Sequence, residues 1–448
     1  MPSFDSIRRW DVRGEAGPLR RKAAVAGGGE RGTAMLKDLY AALDGLFGEM
    51  VAWRRHLHRH PELSFHEEAT PAFVAETLRS FGVSVRTGVG GRGVVGRIEG
   101  GRPGRTVALR ADFDALPIQD EKSVSYRSTV PGVMHACGHD GHTATLLAVA
   151  KVLAARRADL PGTVVLIHQF AEEVAPGGAR PMIEDGALDG VDVIFGTHLW
   201  AGLPIGVIGY RAGYAMANVD AFTIEIVGRG GHGAAPHQTI DSLLIGANLV
   251  VKLQQIVARR VDPLKEAVVT VGTFHAGTAF NVIAERAVLI GTVRTFDEAV
   301  RAQVEAEIRR LAEAEAAAFG ARAEVRYERG YDAVHNDPAV TARFAEAMRA
   351  VYDPARVVEV PPSMGGEDFA YYLQKVPGTF FFTGAGNAGV GAEYPHHHPR
   401  FDIDERAMLI AAKALVTAAV DALDETGAAV AAARGALRPV DALKHVQV

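Results

Sequence analysis

The chain has 448 residues, 48% of them hydrophobic and 23% charged, with a formal net charge of −5 and a single cysteine, Cys137. That mix belongs to a globular protein with room for about three domain-sized units or two larger ones. The acidic balance gives no footing for nucleic acid, no run of eighteen apolar residues offers a membrane span, and one thiol closes no intrachain disulfide; the expected location is the cytoplasm, with neither nucleic acid nor membrane as partner.

Residues 1–34 stand apart. They hold Arg8-Arg9, Arg20-Arg21-Lys22 and Gly27-Gly28-Gly29 without an apolar segment long enough for a secretory signal. They read as a disordered tail, or as an upstream start with Met35 the true beginning. Apolar runs at 106–110, 163–170, 191–197 and 379–383 predict buried strands, and a small apolar run at 143–155 predicts a helix among them. Strands alternating with helices imply an α/β domain with a largely parallel sheet.

The middle of the chain has another rhythm. Strands are expected at 219–227, 267–274, 287–294 and 323–328. A helix is expected at 242–260, and a second opens at Asp297, carries Val300, Val304, Ile308 and Leu311 on one stripe, and closes at Gly320. The order β-α-β-β-α-β is the ferredoxin-like arrangement, so residues 217–330 read as a domain inserted into a larger one. The chain returns through a helix at 338–352, with Asp337 placed as its N-cap and Pro338 at its first position.

The densest chemistry is His135-Ala136-Cys137-Gly138-His139-Asp140-Gly141-His142. Thiolate and imidazole together suit zinc or a similar divalent ion, although alone the string reads equally well as a polar loop capping the next helix. Position favours the metal. Glu172-Glu173 follow one predicted strand, His198 follows another, and Asp112 and Asp114 follow a third, so three strand ends deliver ligand-type groups to the rim where open α/β sheets bind their ligands. Paired carboxylates allow one to ligate while its neighbour moves a proton. In Tyr394-Pro395-His396-His397-His398-Pro399 a histidine could complete the shell, and spacing does not say which. Gly88-Val89-Gly90-Gly91-Arg92-Gly93 matches G-x-G-x-x-G, but a strand is expected at 94–99 where pyrophosphate binding needs a helix N-terminus, so dinucleotide binding is not expected.

These stretches resemble the M20 metallopeptidase family, in its amidohydrolase branch of hippurate hydrolases, aminoacylases and auxin-conjugate hydrolases. The resemblance runs over residues 38–425. It rests on Arg54-Arg55-His56-Leu57-His58 through Pro61-Glu62-Leu63, Leu109-Arg110-Ala111-Asp112-Phe113-Asp114-Ala115-Leu116-Pro117 and His135 to Asp140. It continues through Ala171-Glu172-Glu173, Gly230-Gly231-His232-Gly233, Asn281-Val282-Ile283, Gly291-Thr292-Val293-Arg294, Gly366-Glu367-Asp368-Phe369 and His397-His398-Pro399-Arg400-Phe401. The resemblance implies a metal-dependent α/β hydrolase domain in two parts, 35–216 and 331–448, carrying a lid and dimerisation domain at 217–330.

It further implies two divalent ions (manganese, zinc, cobalt or nickel) held by Cys137, His139, Glu173, His198 and His397, with Cys137 bridging. Glu172 would be the general base for a metal-activated water. Asp112 would orient ligands from behind, because Arg110 stands where other branches carry a metal-binding histidine. His232 and Asn281 would reach a neighbouring copy's site in a homodimer, His232 to hold the oxyanion. Arg294 would take a substrate carboxylate and Gly366 would line the substrate site. The activity expected is cleavage of the amide bond of an N-acyl amino acid. Rival readings are an M20 dipeptidase or exopeptidase, and a non-catalytic metal-dependent binding protein.

Overall fold

The computed structural model of the chain describes residues 28–424 and residue 430; residues 1–27, most of the segment read as a tail, lie outside the described residues, as does the rest of 425–448. The expected tail is nevertheless too long at its C-terminal end. Helix Gly28–Arg59 already occupies residues 28–34, because the buried stripe Leu36, Leu39, Tyr40 and Leu43 docks the helix and lets it propagate back through the glycine-rich start.

The larger body is built on an eight-stranded sheet. Its centre is four parallel strands in the spatial order Pro161–Gln169, Arg102–Asp112, Val193–Pro204 and Gly378–Gly386. Antiparallel neighbours flank them: Gly93–Glu99 and Ser84–Val89 on one side, Ile208–Tyr210 on the other, with Val357–Glu359 parallel to the last. The glycine-rich 88–93 stretch is the hairpin turn of the first pair, with Gly88 at φ 71°, Gly90 at 65° and Gly91 at 116°, and strand follows it as expected.

Both faces of the sheet are covered. Helices Gly28–Arg59, His139–Ala155 and Arg406–Leu423 pack on one face around Leu109, Leu147, Phe195 and Leu415. Phe369, Tyr372, Phe380 and Met182 fill the other. Helix His139–Ala155 is buried on almost every side, which is why its sequence is small and apolar all round instead of amphipathic.

Residues 218–329 form a separate four-stranded antiparallel sheet, ordered Ala267–Ala276, Arg286–Thr295, Asn218–Val227 and Arg322–Arg329. Helices Ser242–Gln255 and Glu298–Ala318 close a core of their own around Phe222, Ile224, Leu249, Leu289 and Ile308. This is the ferredoxin-like order. Asp241 and Asp297 cap the two helices by accepting backbone N–H groups, and the helix expected to run to 260 ends in a π-helical turn, Ile256–Arg260. Asp337 caps helix Pro338–Val351 with Pro338 in its first turn, as read from the sequence. Among the described residues no helix is long and apolar enough to cross a membrane.

Candidate active site

Five segments meet at the strand ends. Strand Arg102–Asp112 ends on Asp112, with Asp114 just beyond; strand Pro161–Gln169 leads into Ala171, whose φ of 49° turns the chain into Glu172-Glu173. The Cys137 loop closes at Gly138, at φ 97°, and helix His139–Ala155 begins on His139 itself. His198 does not follow its strand as expected but lies within it, because pairing with Gly378–Gly386 carries Val193–Pro204 past Phe382↔His198 to Pro204. His397, at φ 65°, donates its N–H to Ala136 O at 2.8 Å and so joins the last loop to the cysteine loop.

The side chains converge. Cys137 Sγ lies 3.4 Å from His198 Nε2. His139 Nε2 lies 3.7 Å from Glu173 Oε1, 3.8 Å from Asp112 Oδ2 and 3.9 Å from Glu172 Oε2. Glu173 Oε1 is in turn 3.4 Å from His397 Nε2. Cys137, His139 and His198 have their ligand atoms within 4.8 Å of one another, and so do Cys137, Glu173 and His397. The ring orientations point both Nε2 atoms inward, His139 Nε2 bare and His198 Nε2 meeting only the Cys137 thiol. His139 turns Nδ1 to Asp114 (3.1 Å to Oδ1), and His198 turns Nδ1 to Leu199 O at 3.0 Å.

These residues fit divalent ions. His139 Nε2 and Glu173 Oε1 are buried without a hydrogen-bond partner, a costly condition that a cation relieves. Burial, with Glu173 and Glu172 close by, holds the Cys137 thiol well above its ordinary value; a cation among these groups reverses that balance and favours thiolate.

Behind the cluster runs a network only partly visible in the sequence. Asp112 spends one oxygen on Arg110 (2.6 Å) and the other on His142 Nδ1 (2.6 Å), while His142 Nε2 accepts the Leu199 N–H at 2.9 Å. Arg110, fully buried, also pairs with Asp368 at 2.9 Å and Glu367 at 3.0 Å. Burial lifts Glu367 to about 8 and Asp368 to about 6, although Arg110 pulls both the other way. Asp114 accepts from Ser64 Oγ (2.7 Å) and from the Glu173 backbone N–H (2.9 Å). Tyr331 donates to the Glu172 carbonyl at 2.6 Å. Sequence reasoning assigned no role to His142, Glu367 or Tyr331. His142 carried a signal, one helical turn after His139 on the same face, and Glu367 stood inside the matching stretch Gly366 to Phe369. His396 was set aside too, yet its Nδ1 lies 3.8 Å from Cys137 Sγ while its Nε2 accepts the Ala201 N–H at 3.0 Å.

The residues expected from the inserted domain gather elsewhere. His232 and Asn281 sit on one small ribbon, with Val282↔His232 paired and Gly233 N–H donating to Asn281 O at 2.8 Å; both are exposed. Arg294 donates to Thr292 Oγ1 and to Val293 O, and burial lowers its pKa against the pull of Asp220. The hydrogen bonds of these three stay within the inserted domain. Gly366 packs at the junction of the two domains, where a Cβ would stand 2.1 Å from Val219 Cγ2.

Thiol, imidazoles and paired carboxylates, collected at the strand ends of an α/β domain, make the donor set of a metal-dependent hydrolase. The chain belongs to peptidase family M20/M25/M40, whose family model matches residues 108–421. The N-acyl-L-amino acid amidohydrolase of Geobacillus stearothermophilus is 50% identical over 300 residues, 67% of this chain and 81% of that protein. Thermostable carboxypeptidase 1 of Saccharolobus solfataricus is 43% identical over 390 residues, 86% of this chain and 98% of that protein. The solved structure of YXEP from Bacillus subtilis, described as a dinuclear metal-binding M20 peptidase, superposes with a TM-score of 0.74 at 38% identity, covering 85% of this chain and 99% of that one. The chain is thus a hydrolase of amide bonds.

Proposed function

We propose that this protein hydrolyses the amide bond of N-acyl amino acids, with Cys137, His139, Glu173, His198 and His397 as the residues that would hold two divalent ions. The observation that carries this is the pair of bare buried ligand atoms, His139 Nε2 and Glu173 Oε1, within reach of the thiol and the other imidazoles. Bound there, two divalent ions supply Lewis acidity toward the carbonyl and make water easier to deprotonate.

Glu172 is the proton carrier. Its backbone is pinned by Tyr331, and its carboxylate, beside His139, has no hydrogen bond to the protein among the described residues. Burial, reinforced by Glu367 and Glu173, raises its proton affinity, which suits a group that takes a proton from water and returns it to the departing nitrogen. Asp112, engaged with Arg110 and His142, orients ligands from behind.

The inserted domain serves as lid and as the contact to a second copy. Supporting this, helix Ser242–Gln255 exposes Leu243, Leu244 and Val251, Phe280 and Val282 stand exposed beside Asn281 and His232, and strand Ala267–Ala276 leaves one sheet edge open. His232 then holds the oxyanion in the other copy's site, a role worth about 3 kcal/mol for a well-aimed donor. Asn281 belongs to the same contact. Arg294 takes the carboxylate of the leaving amino acid in a bidentate fork, and Gly366 lines the substrate site.

The test is amine release from N-benzoylglycine, N-acetylmethionine and a simple dipeptide, with and without chelator and restored manganese or zinc. Chelator-sensitive release from an N-acyl substrate is the expected result. Release from the dipeptide alone would move the protein to the peptidase side, and metal-independent release would sink the two-ion reading.

A further inference from the structure

The segment 61–68 is fastened to the site from outside it. Glu62 caps helix Ala69–Ser80 by accepting the N–H groups of Glu68, Ala69 and Thr70. Ser64 donates to Asp114 at 2.7 Å. Phe65, itself at φ 65°, sets its ring edge-on to Phe170 with centroids 5.9 Å apart. Glu67, with no exposed surface, accepts the N–H of Ala171 at 2.9 Å through Oε1, while its Oε2 has no partner.

Burying a carboxylate with one oxygen unpartnered destabilises a fold, so an apolar side chain would serve better as filling. What Glu67 obtains for the site is Ala171. That residue carries a Cβ yet stands at φ 49°, a region L-residues avoid, and the next two residues are Glu172 and Glu173. The Ala171 carbonyl accepts from Gly178 at 3.0 Å, so both peptide groups that flank its Cα are gripped.

We propose that Glu67 is a positioning residue: its carboxylate holds the left-handed Ala171 turn that aims Glu172 and Glu173 into the metal cluster. This rests on the roles given to those two glutamates above. Without Glu67 the Ala171 N–H is orphaned, the turn relaxes toward extended backbone, and both carboxylates leave their places together.

The experiment compares E67A, E67Q, A171G and E67A/A171G, reading divalent-ion affinity by titration of manganese or zinc into metal-free protein and kcat on an N-acyl amino acid. E67A is expected to lose roughly 10- to 100-fold in ion affinity and in kcat, the usual effect of removing a group that orients metal ligands. E67Q, which keeps an acceptor at the same reach, is expected to stay within a few-fold of wild type. A171G alone changes little, because glycine takes a positive φ freely, and for the same reason it recovers part of the loss in the E67A background. Wild-type ion affinity in E67A, equal damage in E67A and E67Q, or no recovery by A171G would each overturn the proposal. Should E67A fail to fold, E67D decides: one methylene short, it is expected to lose ion affinity where E67Q does not, and equal behaviour of the two counts against the idea. Ion affinity is read without substrate, so a wrong substrate assignment leaves this comparison intact.

Discussion

Replacing Asp114 by Asn tests how far the site depends on groups that touch no ion. Asp114 accepts at once from Ser64 Oγ (2.7 Å), the Glu173 N–H (2.9 Å) and His139 Nδ1 (3.1 Å). These bonds hold its carboxyl below the ordinary range despite full burial. Asn offers one acceptor oxygen where two are needed. Whichever way its amide turns, a donor meets a donor, and a charge-assisted bond worth about 1.5–3 kcal/mol is lost. At about 1.4 kcal/mol per tenfold, divalent-ion affinity should fall roughly 10- to 150-fold. Calorimetric titration of zinc or manganese into metal-free D114N reads this directly. The control is S64A, which removes one neutral hydrogen bond and should cost less than about tenfold. Wild-type affinity in D114N, or equal losses in the two variants, would refute the claim that Asp114 fixes His139 and Glu173 through its charge.

Other outcomes follow from the same structure. E172Q should bind ions nearly as wild type yet lose most of kcat, by about 100-fold or more, since the amide cannot carry the proton; wild-type turnover in E172Q removes Glu172 from the mechanism. Arg301, 2% exposed, ties Asp220 of the inserted sheet (2.6 Å) to Asp332 of the body (2.5 Å), and R301M leaves Asp220 buried without its ion partner. Denaturant unfolding should show a loss of about 3–5 kcal/mol, with part recovered in R301M/D220N. Burial opposes the charge of Asp402, but Arg54 and Lys122 overcome it and hold the group at about 2 against an ordinary 3.8. A depressed carboxylate stabilises the fold above its unfolded pKa, and that stability, on the order of 2 kcal/mol, drains away as pH falls from about 4 to about 2. Tm measured across that window should decline less steeply in D402N.

Much of the fold was legible because local chemistry and tertiary structure agree. Asp297 and Asp337 cap the helices they were expected to cap, and alternation along Asn218–Val227 places Phe222, Ile224 and Ile226 inside. The elements that misled did so for tertiary reasons. Glycine at 27–29 suggests a break, yet a docked helix runs back to Gly28; a polar His198 suggests a strand end, yet partner pairing carries the strand onward. In the site, contiguous motifs exposed Cys137, His139 and the Glu172-Glu173 pair. Arg110 with Asp368 and Glu67 with Ala171 escaped notice because each pair is far apart in sequence and adjacent only through the sheet. Residues that each look like an ordinary surface charge acquire meaning only when packing removes the water around them.

The placement of strand Gly378–Gly386 has a consequence for how the molecule is made. The inserted sheet draws all its strands from residues 218–329 and can close as soon as that stretch has left the ribosome. The large sheet cannot, because Val193–Pro204 and Ile208–Tyr210 both await a neighbour encoded nearly two hundred residues later. Until it arrives, Val193–Pro204, the strand that carries His198, presents a bare edge, so synthesis passes through a stage in which the earlier-made half waits unprotected for the later one. A pause or truncation between residues 330 and 378 would therefore release a chain with a finished inserted domain and an open, self-adhesive sheet.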